Sequence, residues 1–123
     1  MAKLRLAMAQ VNPVVGDLAG NARIVRDRVS EAVAAGAHLV AFPEMVLTAY
    51  PVEDLALRES FVEASRRAVV RLATDLAADG HGDVPVVVGY LDRADWSHSG
   101  SASAEAEKEG ALDADPGRTL PQN

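Results

Sequence analysis

Apolar residues recur along this chain with two different periods, and the changes between them mark out its elements. From Leu4 to Val11 they alternate, Leu4, Leu6 and Met8 standing against Arg5, Ala7 and Ala9, which is the period of a β-strand. Pro and Gly then punctuate a loop, Asn12 to Asp17. Between Asn21 and Ala35 the spacing lengthens to that of a helix. Ala22, Val25, Val29, Ala32 and Val33 share one face, Arg26, Asp27, Ser30 and Glu31 lie largely opposite, and Gly36 is placed to end it. His38 to Phe42 reads as a second, apolar strand, which Pro43 stops by removing a ladder donor.

Glu53 to Arg58 has the makings of a helical turn. A longer helix is predicted from Ser60, where Ser60 and Glu63 have the spacing of a capping box. It continues through Val62, Ser65, Ala68, Val69, Leu72, Ala73 and Leu76 and ends near Gly80. Pro85 to Leu91 is predicted as a third strand, apolar on both faces as in a sheet covered by helices. Strand, helix, strand, helix, strand argues for an α/β fold with right-handed crossovers.

Beyond Asp92 the periodicity stops, and Trp96 to Gly117 is rich in Ser, Ala, Gly and Glu. The expected organisation is therefore residues 1–93 as a folded part, 94–119 as a low-complexity acidic loop insertion, and 120–123 as the start of a further segment, so that the chain reads as a fragment. Charge supports that division. The net charge is −6, but Asp95 to Arg118 alone holds six acids against two bases, so the acidity belongs mostly to one segment. Dispersed arginines and scarce aromatics give nucleic-acid binding no support. No apolar run approaches the ~20 residues that span a bilayer, so no membrane partner is expected and the cytoplasm is the default location. The 123 residues contain no cysteine, which excludes disulfides, thiolate metal sites and a cysteine nucleophile among them.

Glu44 is the leading catalytic candidate. It follows the second strand, where open α/β sheets place their active sites, and Pro43 stiffens the backbone that carries it. A carboxylate half-dehydrated at that boundary suits a general base; a structural glutamate pairing with an arginine is the plainer alternative. Tyr50, in the turn set by Pro51, either walls a pocket or packs as an ordinary aromatic. Glu53 and Asp54 suit a helix N-terminus. His38, His81 and His98 are too scattered for a metal set, so no metal is expected. Lys3 and Lys108 sit in unpromising places, and there is no Gly-rich phosphate loop.

These residues carry a resemblance. Leu4 to Pro13, Val15-Gly16-Asp17-Leu18, Asn21 and Gly36 to Glu44 resemble the opening of the nitrilase superfamily. Leu47 to Leu55, Arg58 to Glu63 and Val86 to Leu91 extend the match to the N-terminal glutaminase domain of the bacterial glutamine-dependent NAD+ synthetases, over about residues 4 to 93. The resemblance implies part of a four-layer αββα sandwich and a Glu-Lys-Cys triad. In that family the cysteine thiolate attacks the glutamine amide, glutamate is the general base and lysine steadies the oxyanion. The released ammonia serves an ATP-dependent amidation of nicotinic acid adenine dinucleotide to NAD+.

On that resemblance Glu44 is the catalytic glutamate and Tyr50 a substrate-binding residue. Neither the family's lysine nor its cysteine falls in the matched segments, so the chain alone is expected to be inactive. No cofactor is expected here; ATP and Mg2+ belong to a synthetase domain these residues do not include. The resemblance also implies a homo-oligomer when the protein is full length. Ala49 stands where the family usually has glycine, and would strain the turn if φ there is positive. Two readings compete: a stand-alone carbon-nitrogen hydrolase (amidase) of the same superfamily, and a non-catalytic interaction module. Against the module, half a sandwich would leave an apolar sheet face bare.

Overall fold

A computed structural model of the chain describes residues 1–94. The expected insertion and final segment at residues 94–119 and 120–123 lie, but for residue 94, outside the described residues. Met1–Arg93 forms one compact unit. Its elements run β1 (Leu6–Met8), α1 (Leu18–Ala34), β2 (Leu39–Ala41), a 3-10 turn (Glu53–Leu57), α2 (Glu59–Ala78) and β3 (Val86–Val87).

The strands form one parallel sheet in the order β1-β2-β3, with Ala7 opposite Val40 and Val40 opposite Val86. All three strands therefore end at the same edge, and β2 ends at its centre. Parallel neighbours need a crossover each; α1 supplies the first, α2 with the 3-10 turn the second.

Each predicted element is present, with shifts that have local causes. Asp17 accepts a hydrogen bond from the Gly20 N–H at 2.9 Å, so α1 starts at Leu18 rather than near Asn21. Gly36, at φ +83°, takes the left-handed conformation that follows the helix end. The expected capping box is absent: α2 starts from Arg58 with no side-chain cap, which puts Ser60 inside the first turn. All three strands are shorter than predicted. Of Pro85 to Leu91 only Val86–Val87 keeps ladder geometry.

Two helices seal one face of the sheet. Val25 and Val29 of α1, Leu72 and Leu76 of α2 and Val40 of β2 form the core, with Ala7, Ala9 and Val86 packed against it. The opposite face is apolar too, but Leu6, Met8 and Val87 are 48%, 71% and 54% exposed. The expectation that helices cover β3 on both sides is thus corrected: Val86 faces them and Val87 faces away. The alternation along Leu4 to Val11 is real, yet the smaller Ala7 and Ala9, not Leu6 and Met8, turn toward the helices.

Candidate active site

Pro43 and Glu44 follow β2 directly, at the sheet edge where the three parallel strands end. After them the chain does not run off into a loose loop. Met45 takes a left-handed φ of +58°, and the Thr48 N–H donates to the Met45 carbonyl at 3.2 Å, closing a turn. Val46, Leu47, Thr48 and Ala49 are buried. The Thr48 hydroxyl, fully buried, donates to the Ala49 carbonyl at 3.2 Å. Ala49 has φ +59°, so the strain expected of a non-glycine residue there is present.

The ends of this segment differ from its middle. Glu44 is exposed, and Tyr50 is 79% exposed. Together with Pro43 and Met45 they line an open cleft of about 400 Å³. The structure therefore brings both candidate residues to one cleft. It corrects the expectation of a half-dehydrated carboxylate, because within the described residues Glu44 is exposed and the cleft it lines is open.

Chemically, the cleft offers one carboxylate able to accept a proton and one phenol able to wall or hydrogen-bond a small polar ligand. It contains no thiol, and among the described residues no three His, Asp or Glu side chains converge as a metal would require. Glu53, at φ +43°, and Asp54 open the 3-10 turn and lie outside this cleft. His38 and His81 have structural partners. The Arg5 N–H donates to His38 Nδ1 at 2.9 Å, and Ser30 Oγ and His81 Nε2 are hydrogen-bonded at 2.9 Å.

A larger concavity of about 620 Å³ lies between α1 and α2, lined by apolar Leu18, Ala22 and Leu72, by Arg23, Arg67 and Arg71, and by Asp75. Its one carboxylate, Asp75, is paired with Arg26 at 3.7 Å and its other charged groups are guanidiniums, which cannot act as a base, so size does not make it the better candidate for hydrolysis.

Two residues that sequence reasoning passed over support the cleft. Asn21 on α1 is fully buried; its amide nitrogen donates to the Leu47 and Val14 carbonyls at 2.9 and 2.8 Å, and its amide oxygen accepts from the Val14 N–H at 2.8 Å. Gly89, after β3, lies against the Glu44–Met45 backbone. Both leave a trace in the sequence: Asn21 is a polar residue four positions before Val25 on the buried stripe, and Gly89 breaks an apolar run of valines.

Residues 5–112 match the carbon-nitrogen hydrolase family. The chain is similar to the glutamine-dependent NAD(+) synthetase of Thermotoga maritima, at 34% identity over 102 residues, covering 83% of this chain and 17% of that protein. It is also similar to the glutamine-dependent NAD(+) synthetase of Rhodobacter capsulatus, at 42% identity over 74 residues, covering 60% and 13%. Among solved structures, a glutamine-dependent NAD(+) synthetase from Cytophaga hutchinsonii superimposes with a TM-score of 0.67 at 26% identity, over 76% of this chain and 15% of that one. The chain thus spans less than a fifth of the length of these relatives.

Proposed function

Since the chain belongs to the carbon-nitrogen hydrolase family and has its nitrilase-like α/β fold, we propose that it carries the general base of a glutaminase, Glu44, in a protein that makes NAD+ with ammonia drawn from glutamine. One observation supports this reading: among the described residues, the one acidic side chain lining the cleft at the end of the central strand is the residue that the family resemblance assigns as its catalytic glutamate.

The chemistry assigns each group a task. Glu44 takes the proton of a cysteine thiol, and the thiolate attacks the carboxamide carbon of glutamine. As the tetrahedral adduct collapses to a thioester, Glu44 returns the proton to the departing nitrogen and ammonia leaves. A water molecule, deprotonated by Glu44, then attacks the thioester; the C–S bond breaks, glutamate is released, and the departing thiolate takes the proton back from Glu44. Tyr50 walls the glutamine site. These 123 residues contain no cysteine, so on this reading the thiol comes from other polypeptide, and the same reading assigns to that polypeptide the lysine of the oxyanion site and the region that binds ATP, Mg2+ and nicotinic acid adenine dinucleotide. The chain by itself should therefore show no glutamine hydrolysis above background. ATP and a dinucleotide as co-substrates fit a cytoplasmic reaction, and assembly into a homo-oligomer is part of the same proposal. Among the described residues no helix is long and apolar enough to cross a membrane.

The test is Glu44→Gln in the complete polypeptide that contains this segment. Glutamine-driven NAD+ synthesis should fall by several orders of magnitude, as when a member of a catalytic set is removed, while synthesis from added ammonia continues. Loss of both together would assign Glu44 a structural role instead.

A further inference from the structure

An exposed carboxylate works as a base only if its backbone is held, because a misplacement of about 1 Å at a reacting group can lower a rate on the order of 10²-fold. The backbone that follows Glu44 is held at a single residue from two sides. The Leu47 N–H donates to the Gly89 carbonyl at 3.3 Å, and the Leu47 carbonyl accepts from Asn21 Nδ2 at 2.9 Å. Asn21 also fastens the loop before α1 through both polar atoms of Val14, and that loop reaches the same segment again where the Gly16 N–H donates to the Thr48 carbonyl at 3.0 Å.

Gly89 is there for its missing side chain. A Cβ at that position would collide with the Met45 nitrogen and stand 3.2 Å from Met45 Cα and 3.3 Å from the Glu44 carbonyl carbon. These obstacles are backbone atoms, which cannot rotate away as the end of a flexible side chain can. Any residue larger than glycine has to force the segment after β3 and the peptide that joins Glu44 to Met45 apart.

We propose that Asn21 and Gly89 are positioning residues for Glu44, the first tying Leu47 to α1 and the second letting the segment after β3 press against the Glu44–Met45 peptide. The proposal rests on the reading of Glu44 as the general base. Asn21 acts by complementarity: its amide nitrogen meets two carbonyl oxygens and its amide oxygen meets one N–H. An aspartate has the same shape but would set an oxygen against those carbonyls. Gly89 acts by allowing a close approach of two backbones.

The experiment uses Gly89→Ala and Asn21→Ser in the complete polypeptide, with Gly82→Ala as the control, since a Cβ at Gly82 meets only Ala77 at 3.6 Å. Gly89→Ala should lower kcat for glutamine-driven synthesis on the order of 10²-fold with a much smaller change in KM, and leave ammonia-driven synthesis and the control variant at the wild-type rate. Hydrogen exchange at the Leu47 amide should accelerate in Gly89→Ala. Asn21→Ser should lower the same kcat in the same selective way if Gly89→Ala does not fold. Unchanged glutamine-driven kcat, or equal loss of both activities, would overturn the proposal. The Leu47 exchange rate reports the clamp whether or not Glu44 is the base, and Glu44→Gln reports the base whether or not the clamp exists, so the two failures are distinguishable.

Discussion

The middle and the ends of the segment between Pro43 and Pro51 have opposite surroundings. Val46 to Ala49 is buried and tied by hydrogen bonds to α1, to the loop before it and to the segment after β3, whereas Glu44 and Tyr50, at either end, stand open to solvent. The difference separates two requirements of a catalytic group. Its position is set by the backbone beneath it, and these residues supply that. Its environment is set by what closes over it, and these residues leave the cleft open on that side. The sheet shows the same division, with one face sealed by α1 and α2 and the other carrying exposed Leu6, Met8 and Val87.

Substitutions in the middle should therefore act on stability. Leu47→Ala removes a fully buried side chain and should destabilise the fold by about 3 kcal/mol, read from urea unfolding, whereas Leu57→Ala, at a residue 86% exposed, should stay within about 0.5 kcal/mol. Similar losses for the two would erase the contrast. A smaller effect of opposite sign is expected at Ala49, where φ is +59°. Ala49→Gly should raise stability by about 1 kcal/mol by relieving the left-handed strain, and a destabilised variant would mean that burial of the methyl group outweighs it.

The smallest effect lies far from the cleft, where α1 meets the end of α2. Arg26 donates to both carboxylate oxygens of Asp79 at 2.7 Å, and these hydrogen bonds hold the Asp79 carboxyl below the usual carboxylate range. A group whose folded pKa is depressed contributes stability that is present above its unfolded pKa and is lost as the pH falls through the folded value. The pair's small contribution should therefore disappear as pH drops through and below the normal aspartate range. In Asp79→Asn that part of the acid dependence should be missing, while Tyr50→Phe should retain it.

Much of this was legible in the residues. The change of period at Gly36 and the proline after Phe42 located α1, β2 and Glu44 because both act through local backbone geometry. Which face of β1 turns inward was not legible, since Leu6 and Met8 are the larger apolar side chains and yet the small Ala7 lies beneath the helices. Periodicity sets the alternation and leaves the partner of each face to tertiary packing. The capping box failed for a related reason, because α2 takes its start from Arg58 and the 3-10 turn before it. Asn21 and Gly89 went unassigned because the contacts that tie them to the segment after Glu44 span 26 and 42 to 45 residues, respectively, a relation that no local spacing records.

The most direct measurement takes Glu44→Gln and reads two quantities from the same protein: its unfolding midpoint and its rate of glutamine-driven NAD+ synthesis. An exposed side chain on a clamped backbone should leave the midpoint where it is while the rate falls by orders of magnitude. A rate that survives, or a midpoint that falls with it, would contradict the assignment of the base.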